Sequence, residues 1–490
     1  YAKAVERYQQ AIALQATDAI VFNNKGKALV NLKNTQQAIA DFDKAISLKP
    51  DYEKAIENRA NAYFELKNYT QAIPDFEKVL QAGRTDTEIL QNLGTAYYET
   101  KNYTKASETL NKVVAKGIKS KEVFTMLGLA LYQQKNYAET SKALQAAVSL
   151  GNSSAEVWSP LAVSQFQNKE LAAAIESSSR ALQSDNTNAE LYLIRGLSLA
   201  STQSSDKAIA DLEKAIAGGI KNTEAFKIVG DAAFQQKQYE KAIGYYNQAI
   251  TPETKDAVLF NNRGKAKVMA GQKTQALADY NTAINLKPDY TKALVNRGTL
   301  QFELQDWQAT VTDLEKAKTA EPDASNLYAM LGLAYYNLNK KELAKPALEK
   351  AVTANQILDN VWLYVGLMRF DAKEWKIATE ALTQAEKAGA NALVIQEKRG
   401  KGNFNSKDFT NAVVDLEKYL VTKSDDLSAW EMLALSYTNL KKENEAFTAL
   451  EKSIALNSTN KEILFAGGNA RFKKDNFNGA IEAYDKAIVN

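Results

Sequence analysis

The chain has 490 residues, with 61 Lys plus Arg against 58 Asp plus Glu and a net charge of +3; this balance offers no net attraction for nucleic acid, and no sustained basic block occurs. With no His and no Cys, these residues cannot form Ser-His-Asp or Cys-His catalytic groups, thiolate or imidazole zinc sites, iron–sulfur clusters, His-ligated haem or disulfides. Apolar residues at 45% are an ordinary share for a globular chain, and no apolar run approaches the roughly 18–20 residues of a membrane span.

In chain order, Tyr1 to Tyr8 reads as mid-domain helix and not as a signal peptide. Tyr1, Ala4, Tyr8 and Ala11 fall on sites that recur downstream, so residues 1–18 are read as the second helix of a truncated repeat. From Gly26 the sequence steps by 34 residues through Ala60, Gly94, Gly128, Ala162, Gly196, Gly230, Gly264, Gly298, Gly332, Gly366, Gly400, Ala434 and Gly468, always on Gly or Ala. A second small-residue series runs from Ala38 to Ala480, and a third from Ala45 to Ala487. So long a fixed period marks a repeat architecture. Its small residues let helix axes approach at the near end of the usual range of about 8–10 Å.

The remaining repeat positions supply bulk and helix ends. Trp158, Trp362 and Trp430 precede the Gly/Ala site by four residues, and Trp307 and Trp375 follow it by nine, a position shared with Tyr69, Tyr103, Tyr137, Tyr239, Phe409 and Phe477. These aromatics are read as core packing. Gly83, Gly117, Gly151, Gly219 and Gly389 recur where a second helix needs a left-handed cap, and Pro50, Pro288 and Pro322 follow at the next position, where Pro stops a helix. Pro74 and Pro346 fall early in second helices, where a missing N–H is tolerated, and Pro160 is expected to distort the start of a first helix. Each unit is thus two antiparallel helices of about 12–14 residues joined by short turns. Units one to seven span 19–256, units eight to thirteen span 257–460, and 461–490 is a partial fourteenth. A stacked repeat buries a face on each neighbour, so the half unit at the start and the uncapped end lead us to expect that the full-length protein continues beyond at least its N-terminus.

Period, small-residue positions and aromatic positions together resemble the tetratricopeptide repeat family over essentially the whole chain. The resemblance implies an all-α, right-handed α-solenoid superhelix of about fourteen helix-turn-helix units, whose first helices line the concave surface through their second, fifth, sixth, ninth and neighbouring positions. Numbering the repeat so that Gly26 is its eighth residue, position six reads Asn24, Asn58 and Asn92, then Met126, Pro160, Ile194 and Ile228, then Asn262 and Asn296, then Met330, Tyr364, Lys398, Met432 and Ala466. A carboxamide offers both donor and acceptor. The arrangement is similar to the asparagine ladder of superhelical tetratricopeptide domains attached to glycosyltransferases, though it departs from that ladder in nine of fourteen units. The family's clamp for a peptide carboxylate maps onto Lys227, Asp231, Asn262, Lys292 and Asn296. There Asp231 repels a carboxylate and Asn296 lacks a guanidinium fork, so a true clamp is not expected. The candidate peptide-binding set is Asn24, Asn58, Asn92, Lys227, Asn262, Lys265, Lys292, Asn296, Met330 and Tyr364.

A longer period lies inside the short one. Asp18 to Ala28 resembles Asp256 to Ala266, and Leu48 to Tyr52 recurs as Leu286 to Tyr290, at an offset of 238 residues, seven periods. Duplication of a seven-unit block is the simplest account, with shared ancestry alone or a shared surface as its two readings.

Nothing in the chain reads as catalytic. The carboxylate pairs Asp75/Glu77, Asp211/Glu213, Asp313/Glu315 and Asp415/Glu417 point about 200° apart on a helix. They are expected to make ordinary surface pairs with Lys78, Lys214, Lys316 and Lys418. The string Ser204-Ser205-Asp206-Lys207 has no supporting motif, and Gly400-Lys401-Gly402 is no phosphate loop, since Gly400 is its unit's packing glycine. The expectation is a non-enzymatic scaffold, without metal or cofactor, that holds segments of other proteins in its groove within a larger complex. The alternatives are an architectural strut of a secretion or envelope assembly and the regulatory arm of an enzyme whose catalytic region lies elsewhere. The Asn- and Lys-rich repeats lean toward a bacterial cell envelope or periplasm over cytoplasm and leave the compartment open.

Overall fold

The computed structural model describes all residues except 16, 203–204, 321–324, 354–359 and 490. The described residues form 29 α-helices and no strand. A lone helix α1 (Ala2–Ala13) is followed by fourteen helix pairs, from α2 (Ala19–Asn31) and α3 (Thr35–Leu48) to α28 (Lys461–Lys473) and α29 (Phe477–Val489). The chain divides into two compact halves, Tyr1–Thr251 and Pro252–Asn490, each a helical-repeat solenoid.

The 34-residue period has a steric cause at repeat positions 8 and 24. A Cβ on Gly26 would come 2.5 Å from the Phe42 ring, one on Gly94 2.7 Å from Leu110, one on Gly264 2.7 Å from Tyr280, and one on Gly366 2.7 Å from Leu382. In each pair the first helix lies so close to the second that the larger side chain occupies the space a Cβ would take. Phe42, Leu110 and Leu382 are fully buried there and Tyr280 is 2% exposed.

The turn between the two helices is pinned from both sides. Among the described residues, edge-to-face aromatic pairs bridge it in eight repeats, including Phe64–Tyr69 at 5.5 Å, Phe302–Trp307 at 5.4 Å and Phe370–Trp375 at 5.1 Å between ring centroids. Geometry of this kind adds about 0.5–1.5 kcal/mol beyond area burial. The backbone turns through one left-handed residue at repeat position 15. Gly271 takes it at φ 80°, yet Lys33, Lys67, Lys101, Lys135, Lys169, Lys237, Lys373, Lys407 and Lys441 hold it at φ 58–64°. The second-helix caps expected at Gly83, Gly117, Gly151, Gly219 and Gly389 are left-handed, with φ between 79° and 91°.

Two expectations change. Pro74, Pro160 and Pro346 each stand sixth in their helices, α5 (Tyr69–Gln81), α10 (Ala155–Gln167) and α21 (Lys341–Thr353), a turn beyond the orphan N–H groups. All three helices run through them, including α10, where Pro160 was expected to distort the start. The stop assigned to Pro322 lies outside the described residues.

The acidic residues were also misplaced. Asp75, Asp211, Asp313 and Asp415 are no surface partners of the following lysines but are buried, between 1% and 6% exposed. Each takes a two-pronged grip from the arginine sixteen residues earlier. Arg59 Nε and Nη2 both stand 2.8 Å from Asp75, and Arg399 repeats the grip on Asp415 at 2.8 and 2.8 Å. Arg195, Arg263 and Arg297 hold Asp211, Asp279 and Asp313 likewise. The remaining nitrogen reaches back one repeat, Arg59 Nη1 to Asp43 at 2.7 Å and Arg297 Nη1 to Asn281 at 2.6 Å, so the guanidinium ties successive pairs together. Carboxylates on both sides raise the Arg59 and Arg399 pKa further above the usual range. Lys78 donates instead to the Pro50 carbonyl at 2.8 Å. Glu77, Glu315 and Glu417 accept from the hydroxyls of Tyr97, Tyr335 and Tyr437 in the next repeat.

Candidate functional site

Within each half, successive first helices touch one another, as α2 does α4 (Glu53–Glu65) and α4 does α6 (Thr87–Glu99). No pair of second helices is in comparable contact among the described residues. The first-helix side is therefore the one on which each half converges. Its helix entries are fixed by capping: Asp18 accepts from the Ile20 N–H at 2.8 Å, and Asp256 from the Val258 and Leu259 N–H groups at 2.9 and 3.2 Å.

On this side the position-six carboxamides are half-buried and joined to neighbours. Asn58 Nδ2 donates to Asn23 Oδ1 at 2.7 Å, and Asn23 Nδ2 to Asn24 Oδ1 at 3.3 Å. Asn23 itself is 4% exposed. In the second half Asn296 Nδ2 donates to Asn261 Oδ1 at 2.8 Å and Asn261 Nδ2 to Asn262 Oδ1 at 3.3 Å, with Asn261 2% exposed. Asn92 follows a different route, donating to Asn61 at 3.2 Å. A buried carboxamide costs free energy unless bonded, and bonded it locks the orientation of the amides beside it. Asn23, Asn261 and Asn61 escape a scan of position six alone. They stand at positions five and nine, and the doubled Asn23-Asn24 and Asn261-Asn262 strings are the signal that marks the first two.

The other candidates are spread out. Lys265 and Lys292 are exposed on α16 (Ala257–Met269) and α18 (Thr291–Glu303). Lys227, on α14 (Thr223–Gln235), is half-buried with its Nζ 3.9 Å from Glu224. Asp231 accepts from the Tyr246 hydroxyl at 2.6 Å. Tyr364 is half-buried and stands edge-to-face on Tyr336 with centroids 4.7 Å apart. Met330, expected to offer an adaptable contact, is 6% exposed, packed in an apolar core of the second half that draws residues from the helix pairs on either side. Further along the first half, past the Asn24, Asn58 and Asn92 stretch, lies a hollow of about 800 Å³ whose lining includes Phe166, Leu197, Ile228, Glu224 and Asp231. Of the Ser204–Lys207 string, Ser204 lies outside the described residues. No group of three acidic residues able to hold a metal occurs among the described residues. No described helix is long and apolar enough to cross a membrane.

Sequence profiles described as tetratricopeptide repeat match residues 19–52, 63–128, 125–189, 193–257, 325–357 and 427–460. No curated protein sequence matches the chain. Similar solved structures include MamA from Desulfovibrio magneticus RS-1, at 20% identity and TM-score 0.31 over 34% of this chain and 94% of that one. A tetratricopeptide repeat protein from Parabacteroides merdae ATCC 43184 is 18% identical at TM-score 0.31, over 51% of this chain and 99% of that one. A Naa15/Naa10 complex bound to HypK-THB is 13% identical at TM-score 0.33, over 88% of this chain and 67% of the matched one.

Proposed function

The chain belongs to the tetratricopeptide repeat family, and we propose that it is a non-enzymatic protein–protein interaction scaffold holding peptide segments of partner proteins on its first-helix side. The observation that carries this reading is the set of oriented, half-buried carboxamides at Asn24, Asn58, Asn262 and Asn296. Such groups bond an extended backbone through its own N–H and C=O without reading side chains. A preformed surface also keeps the ordering cost on the scaffold side small. Replacing these four asparagines by Ala should weaken recovery of partners from the native cell extract while far-ultraviolet circular dichroism stays unchanged. Undiminished recovery would overturn the assignment.

One observation favours the second reading, a strut that contacts its assembly through second helices. Leu343, Ile377, Val414 and Val421 expose 51%, 48%, 47% and 85% of their surface on α21, α23 (Trp375–Lys387) and α25 (Phe409–Thr422). Hydrogen exchange with a partner bound separates the two: protection concentrated on first helices supports the groove, and protection on second helices supports the strut. A bacterial cell-envelope or periplasmic setting belongs to the same proposal, checked by cell fractionation.

A further inference from the structure

We infer that the chain is bivalent: each half carries one copy of the same site for an extended, acidic peptide segment. The inference rests on the groove reading above and adds to it the number of sites and the charge of the ligand.

The two relays agree bond for bond. Asn58 to Asn23 measures 2.7 Å and Asn296 to Asn261 2.8 Å, and the next links, Asn23 to Asn24 and Asn261 to Asn262, are both 3.3 Å. Each relay engages its carboxamides through set atoms. Asn24 and Asn262 accept through Oδ1, whereas Asn58 and Asn296 donate through Nδ2. A segment crossing from one repeat to the next therefore meets amides of set orientation at both places.

Helical spacing brings the same flanking groups beside both relays. Residues three and four apart share a helix face, which aligns Ile20, Asn24 and Lys27 in the first half and Val258, Asn262 and Lys265 in the second. On the following first helix it aligns Lys54 with Asn58 and Lys292 with Asn296. All four lysines are exposed, and Ile20 and Val258 are 52% and 41% exposed at the same repeat position. Two cations flanking amides of fixed orientation, beside an open apolar side chain, complement an extended segment bearing carboxylates and one apolar residue.

Differences between the copies lie around this set. Lys33 corresponds to Gly271, Asn31 to Met269, and Glu57, whose carboxylate stands 4.0 Å from the Lys54 Nζ, to Val295, whereas the three asparagines and both lysines of each set are the same. The copies diverge at the following repeat. The first half extends its ladder through Asn92 and Asn61 at 3.2 Å, where the second has Thr299 and the buried Met330. The first site should therefore hold the longer stretch.

The test is calorimetric titration of the whole chain with an acetylated, amidated decapeptide of alternating Asp and Ala, with an alternating Lys and Ala peptide as control. Two acidic peptides per chain and none of the control are expected. Lys27→Glu with Lys54→Glu should weaken one site by about tenfold or more, and Lys265→Glu with Lys292→Glu the other. These exposed changes should leave helicity intact. One site lost with one lysine pair only, the other pair having no effect, overturns bivalency and leaves the groove reading standing. No binding of the acidic probe, or binding that survives all four reversals, overturns the site itself. The groove reading is judged separately, by the asparagine variants and natural partners.

Discussion

Asp41 shows how much one side chain decides. In five repeats among the described residues its equivalent is gripped by an arginine through both oxygens, but here the partner is Lys25, which reaches Oδ1 at 2.8 Å and leaves the buried Oδ2 without a partner. An ammonium is a point donor and a guanidinium a planar fork. Lys25→Arg should therefore stabilise the protein by about 1 kcal/mol or more, read as a higher urea midpoint, and an unchanged or lower midpoint refutes this account of the orphan oxygen. The packing glycines make a complementary case. Gly94→Ala puts a Cβ 2.7 Å from Leu110, and overpacking of about 1–3 kcal/mol should exceed the helix-propensity gain of about 1 kcal/mol. Gly400→Ala, with its nearest contact at 3.0 Å, should cost less. Equal losses in thermal denaturation would mean that the helix approach is not what fixes this position.

The element is the helix pair with its turn, and both its ends make predictions. Lysine at φ 58–61° in the turns of Lys67, Lys101 and Lys135 takes a conformation that L residues adopt at a cost of roughly 1–2 kcal/mol. Each Lys→Gly change should stabilise by about 0.5–1 kcal/mol after the entropy of the unfolded chain is set against it. A fall in melting temperature for all three would show that the lysine side chains hold the turn. Between pairs, burial and the bond to Glu77 push the Tyr97 hydroxyl up to about 12. The folded state keeps this proton where the unfolded chain, with its tyrosine pKa near 10, has begun to lose it. The contribution is thus complete below about pH 10 and disappears as pH rises toward 12. Tyr97→Phe should be less stable at pH 7 and flatten the fall in stability above pH 10. A parallel alkaline profile would assign the fall to other groups.

At the scale of the molecule, each half is built from neighbour-to-neighbour contacts, as repeat arrays are. Residues 1–251 and 252–490 contain their own packed cores. Each expressed alone should keep most of its helical circular dichroism, and loss of helicity in either would show that its stability is borrowed from the other. The same independence allows one site per half, because neither relay draws a residue from the other half.

Fold class and repeat phase were legible in the residues themselves, because Gly or Ala returns at position 8 every 34 residues; the large side chain at position 24 that the glycines face came only from the structure. The position-six asparagines were picked out by the resemblance to the tetratricopeptide repeat family, which implies the face that they occupy. Burial was not legible. Asp75 and Lys78 look like an ordinary surface pair on one helix, and only the approach of Arg59 from the neighbouring helix makes Asp75 an interior residue. Met330 sits at a groove position by its number and in the core by its surroundings. Asn23 became a link in a relay only when Asn58, thirty-five residues later, was brought within 2.7 Å. Local periodicity sets which face a side chain occupies; what that face meets depends on groups from distant regions of the chain, and only the packed structure supplies them.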